Sequence, residues 1–109
     1  MAKKLNGIIK YNIIDEGCLI GIFTNTHIEQ IYPEMAKKII NSEGLAGKYN
    51  CEYLAPDKMH DCKLHIKGDK KNEKIFRFKW FDGSSVKPFN EGIGMKIDDK
   101  TIIVSYWEV

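Results

Sequence analysis

Three groups of residues have side chains that could do chemistry. Glu91 stands between Phe89 and Ile93 in an alternating stretch. On a strand that spacing turns the carboxylate inward with its apolar neighbours, where it would need a partner or a raised pKa. Such a group could orient a ligand or serve as a general base. A bulge at Gly92 or Gly94 would swing it outward instead, and the spacing leaves both directions open. His60, Cys62 and His65 are residue types that ligate zinc. On a strand, positions 60 and 62 share a face and position 65 takes the other, so three ligands would converge only through a kink. The expectation is a core Cys62 beside two exposed or turn histidines, with no metal. The third group is the rings. Tyr11, Tyr49, Tyr53, Phe76, Phe78, Trp80 and Tyr106 fall on the apolar faces of their segments. Rings with polar tips line ligand cavities well, since each offers stacking area and some offer one hydrogen-bonding group. The same side chains would equally fill a core.

Other catalytic signatures are missing. Gly92-x-Gly94 is followed by further strand, so no helix N-terminus faces a phosphate there. No serine sits in a nucleophile elbow, and no cysteine has a histidine in a catalytic arrangement. The chain is therefore read as a non-enzyme, with Glu91 or His60 the residues on which any activity would have to rest. The pairs Lys3-Lys4, Lys37-Lys38 and Lys70-Lys71 read as solvated surface.

The elements that would position these groups are short β-prone runs separated by turn residues. Gly7 to Ile14 alternates Ile9, Tyr11 and Ile13 against Lys10 and Asn12, and Asp15-Glu16-Gly17 turns it into Leu19 to Thr24. Lys48 to Leu54 places Tyr49, Cys51 and Tyr53 together. Cys62 to Lys67 places Cys62, Leu64 and Ile66 together. Ile75 to Phe81 sets Phe76, Phe78 and Trp80 against Arg77 and Lys79. Lys87 to Ile97 puts Phe89, Glu91, Ile93, Met95 and Ile97 on one face, with Gly92 and Gly94 opposite, where glycines suit a bulge or a bend. Thr101 to Val109 is apolar on both faces, with Ile102, Val104 and Tyr106 on one and Ile103 and Trp107 on the other. The exception is Tyr32 to Asn41. There Pro33 suits a first helical turn, Met35, Ala36, Ile39 and Ile40 recur at helical spacing, and Gly44 offers a stop. This predicts one short helix between the second and third strands, lying on the sheet or plugging an open end.

At 109 residues the chain suits one domain, spanning 1–109, with 43% hydrophobic and 29% charged residues. A net charge of +2 spread over the sequence, with Arg77 as the sole arginine, argues against nucleic acid. No apolar run approaches the ~20 residues needed to span a bilayer, and Lys10, Asn12 and Asp15 interrupt any leader-like stretch, so neither membrane nor export is expected. Cys18, Cys51 and Cys62 cannot all pair in one chain, which fits reduced thiols in a cytoplasm.

The runs together resemble the lipocalin and avidin group of small up-and-down barrels, the calycins. Gly47-Lys48-Tyr49 is similar to the glycine, any residue, aromatic triplet of the opening strand. Gly92-Ile93-Gly94 with Thr101 to Trp107 resembles the closing strands of small bacterial lipocalin-like domains, and Leu19 to Asn25 an avidin-type second strand. Tyr49 replaces the usual tryptophan, and the late arginine that packs over it in the family has no equivalent. The resemblance implies an all-β, up-and-down antiparallel barrel of seven or eight strands. No ligand residues carry over by motif, and biotin binding is not implied. The functional expectation is a binding module holding a small apolar or aromatic ligand at the barrel mouth through Tyr11, Tyr49, Tyr53, Phe78, Trp80, Glu91 and Tyr106, with no cofactor. The alternative is a filled scaffold that self-associates into a homo-oligomer through outward Ile22, Ile103 and Trp107.

Overall fold

The computed structural model describes residues 4–15, 17–40 and 42–109. The first three residues, the turn residue Glu16 and the helix-terminal Asn41 of the sequence reading lie outside them. Eight strands follow in order: β1 (Asn6–Asp15), β2 (Cys18–Asn25), β3 (Tyr32–Lys38), β4 (Gly47–Ala55), β5 (Lys58–Gly68), β6 (Ile75–Phe81), β7 (Asn90–Asp98) and β8 (Thr101–Glu108). Each pairs antiparallel with the next, and β1 pairs with β8, so the sheet closes into an up-and-down barrel. Closure satisfies the backbone of every strand on both sides and leaves no exposed edge.

Alternation decides what enters the lumen. Ile9 and Tyr11 of β1, Leu19 and Phe23 of β2, Tyr49 and Cys51 of β4, and Cys62, Leu64 and Ile66 of β5 are buried, with Phe78 and Trp80 of β6 and Ile102, Val104 and Tyr106 of β8. The rings meet in a file across the lumen. Tyr11 and Phe78 stack with centroids 6.0 Å apart, Phe78 and Trp80 at 5.8 Å, and Trp80 and Tyr106 at 5.7 Å.

Two expectations are corrected. The segment read as a helix is β3, and no helix occurs among the described residues. Its apolar side chains are the exposed ones, with Met35 at 44% and Ile40 at 76%, while Glu34 and Lys38 point inward with Ala36 and are buried. An inward face of Glu-Ala-Lys hides the period-two signal, and the outward residues mimic a helical stripe. Pro33 is accommodated at the start of the strand, one residue before pairing with β4 begins at Glu34.

The second correction is the face of β7. Gly92 and Gly94 point inward and are buried, while Ile93 and Met95 point outward. A Cβ on Gly94 would lie 2.7 Å from Phe78 Cε1 and 2.9 Å from Val104 Cγ2. The glycines are therefore the floor on which the β6 rings lie. The register stays continuous through both, and the irregularity of β7 falls later, between Lys96 and Asp98.

Replacing Gly94 by Ala is expected to overpack this contact and destabilise the fold by about 1–3 kcal/mol. The shift would appear as a lower urea midpoint at unchanged m-value. Because the strain is shared with one ring, the double variant Gly94→Ala/Phe78→Leu should lose less than the sum of the two single changes.

Candidate functional site

The barrel is solid through its middle and opens at one end. That end gathers the start of β1, the end of β2, the start of β3, the ends of β4 and β6, the start of β7 and the end of β8. A cavity of about 300 Å³ lies there, at the lower end of the roughly 300–1,000 Å³ of ordinary ligand pockets. Phe23, Tyr53, Trp80, Phe89 and Tyr106 supply its rings, Leu5 and Ile9 further apolar wall, and Asn25, Glu34, Asn90 and Glu108 its polar groups. It has room for one ring with a short appendage.

Glu34 is the unusual member. Register places it opposite Gly21 of β2 and Tyr53 of β4. Gly21 is required here, because a Cβ would come within 2.7 Å of Tyr11 Cδ1. The bare backbone lets the Tyr11 ring cross β2, and its hydroxyl donates a hydrogen bond to Glu34 Oε2. The Trp80 indole N–H is buried without a full hydrogen bond to any described residue, though its dipole still reaches the carboxyl. Burial raises the Glu34 pKa, and the Tyr11 hydroxyl, the Cys51 thiol and the Trp80 N–H act against that rise. The same burial, with Glu34 beside it, holds Tyr11 well above the ordinary phenol value.

The rest of the mouth is held by the chain ends and one tyrosine. The Leu5 amide donates to Glu108 Oε1 at 2.7 Å, and the Glu108 amide returns a bond to the Leu5 carbonyl at 3.0 Å. The Tyr106 hydroxyl accepts from Asn25 Nδ2 at 3.0 Å and donates to the Thr24 carbonyl at 3.3 Å. Burial pushes the Tyr106 and Tyr53 phenols up to about 12.

The other end is closed by Lys38, which the sequence placed on a solvated surface. Its Nζ donates to the carbonyls of Ser42 at 2.9 Å and Gly44 at 2.5 Å, and it lies 5.9 Å from the centre of the Tyr49 ring. The Tyr49 hydroxyl donates to the Leu45 carbonyl at 2.7 Å. These bonds hold residues 42–45, ahead of β4, against this end of the barrel.

Of the expected ligand residues, Tyr53, Trp80 and Tyr106 meet at the cavity. Tyr11 and Phe78 lie beneath it in the packed core, and Tyr49 belongs to the closed end. Glu91 is corrected: it sits on the outward face of β7, opposite Lys79 and Trp107, and does not line the cavity. The inward, buried carboxyl with a raised pKa is instead Glu34. A signal was present in the alternation of Tyr32, Glu34, Ala36 and Lys38, but a carboxylate and an ammonium on the inner face concealed it.

His60 stacks on Tyr53 at 5.2 Å and lies 3.7 Å from Asp57. Cys62 is buried opposite Cys51, and the contact between the two thiols, with burial, raises the Cys51 pKa. Among the described residues no cluster of three or more His, Cys, Asp or Glu side chains converges. No helix among them is long and apolar enough to cross a membrane. Neither protein-family models, nor curated proteins, nor solved structures yield a match to this chain.

A buried acid with a raised pKa gives a defined pH dependence of stability. Below the unfolded value of about 4.3 both states hold the proton and the contribution is complete. As pH rises the unfolded chain releases its proton first, so stability falls until the folded Glu34 also ionises. His65, held low by burial, acts in the opposite sense around neutrality. The difference between wild type and Glu34→Gln is therefore the measure. Urea midpoints from pH 4 to 8 should decline more in the wild type than in the variant, by about 1.4 kcal/mol for each unit of displacement.

Proposed function

We propose that this barrel is a small-ligand binding module whose site is the mouth cavity. The observation that carries this reading is the contrast along the barrel axis. The middle is packed with rings, yet at one end the same rings stop short and leave a walled space with a buried carboxyl at its floor. The occupant is a single-ring or short apolar molecule with one polar group, stacking against Tyr53, Trp80 and Tyr106 and directing its polar group at Glu34. The calycin resemblance supports the same role.

Titration with 2-phenylethanol should change tryptophan emission saturably, because Trp80 walls the cavity, with a Kd of roughly millimolar or tighter. Asn90→Phe, on the inward side of β7, should fill the mouth and abolish the response. Met95→Ala on the outside should leave it intact. A linear response, or one that survives Asn90→Phe, would exclude binding in the cavity.

The outer wall favours a second reading, self-association. Register places Ile22 of β2, Ile103 of β8 and Met95 of β7 in one outward row that Lys10 of β1 interrupts, beside a row that holds Ile8 and Ile93. Ile22 is 50% and Met95 56% exposed. Exposed apolar side chains gathered in this way are commonly covered by another molecule, and a second copy is the simplest cover. Light scattering at high concentration should show a dimer that Ile22→Lys reduces to monomer. A wild-type chain that stays monomeric would exclude it.

A further inference from the structure

The chain carries 17 basic side chains, yet among the described residues no lysine, arginine or histidine lines the mouth cavity. Its carboxylates are Glu34 and Glu108. Glu108 is engaged, since its Oε1 accepts the Leu5 amide. Glu34 is 94% buried by its 6% exposure, and it receives the Tyr11 hydroxyl and the partial attraction of Trp80. Neither donor is a cation, and no ion pair among the described residues reaches it. A buried carboxylate is ordinarily paired with a positive charge. Here the donors that favour its ionised form are built in, while among the described residues no counter-charge reaches it.

The walls suit a positive charge as well. Tyr53, Trp80 and Tyr106 surround the space above Glu34, and ring faces attract an ammonium most strongly where water is excluded. A carboxylate or phosphate ligand would instead meet Glu34 and Glu108 with no basic residue among the described lining to offset its charge. A neutral alcohol could hydrogen-bond to Glu34 but would bring no counter-charge to it.

Resting on the small-ligand reading above, we propose that the cavity selects a small organic cation, an alkylammonium group on a single ring, with Glu34 as its counter-ion and the Tyr53, Trp80 and Tyr106 rings around it. Burial already disfavours the bare carboxylate. An arriving ammonium supplies the counter-charge that the ionised form of Glu34 lacks.

The test is a matched series differing in one group: phenethylammonium, 2-phenylethanol and phenylacetate, titrated calorimetrically against the full chain at neutral pH. The expected result is that phenethylammonium binds at least about tenfold more tightly than the alcohol, and phenylacetate more weakly than both. Glu34→Gln should reduce that preference to about twofold or less. Should this variant fail to fold, the wild-type ratio of ammonium to alcohol decides alone. If the alcohol or the acid binds as tightly as the ammonium, the cation assignment is overturned while the ligand-binding reading survives. If none of the three binds at millimolar concentration, both fall. A preference for ammonium that persists undiminished in a folded Glu34→Gln protein would overturn the role of Glu34.

Discussion

Closure of β1 onto β8 is the constraint from which the rest follows. Once the sheet is a ring, the strands share one lumen of fixed width, and every second side chain must fit into it. Volume on one strand has to be matched by its absence on another. Tyr11 is admitted because Gly21 is bare beneath it, and Phe78 and Trp80 because β7 presents Gly92 and Gly94 to them. A file of stacked rings across a narrow barrel is possible only with these gaps in the opposing wall. The rings in turn remove the apolar surface whose burial stabilises a chain of this size.

The packing also divides the barrel axis into three zones. The middle is full. At each end a single residue of β3 finishes the structure, and the two are four positions apart on the same inward face, about 13 Å along the strand. Lys38 closes its end by donating to loop carbonyls over the Tyr49 ring. Glu34 leaves its end open, since its bond to Tyr11 draws it down onto the core and the space above is walled by rings and the paired chain ends. One strand thus supplies both a lid and a floor. The polar side chains on its inner face are what give the barrel a closed end and a site end.

A closed barrel has no free strand edge, so contact with another molecule must come through its side chains or its mouth. The outer wall is uneven in this respect. Around β1, β2, β7 and β8 it carries isoleucines and Met95 with Lys10 and Glu91 among them, whereas around β5 and β6 it carries Lys63, Lys67, Arg77 and Lys79. The charged side is suited to water and the apolar side to a protein surface. Neither competes with the mouth, which lies at the end of the axis, so ligand binding and self-association can coexist.

The sequence alone determined the all-β class, seven of the eight strands and the inward faces of five of them: Ile9 and Tyr11, Tyr49 and Cys51, Leu64 and Ile66, Phe78 and Trp80, Val104 and Tyr106 all point where period two requires. It also brought to notice Tyr53, Trp80 and Tyr106, which line the mouth cavity. Only the tertiary structure decided the eighth strand and the face of β7, and the reason is the same in both. Alternation reports burial only when the inward residues are the larger and more apolar ones. In β7 the inward residues are glycines, chosen by rings on a neighbouring strand, and in β3 they are Glu34 and Lys38, the first made tolerable by Tyr11 of β1 and the second by the carbonyls of Ser42 and Gly44 in the loop that follows. The pairings of Glu34 with Tyr11 and of the β7 glycines with the β6 rings are properties of the closed ring, and no window of local sequence shows them.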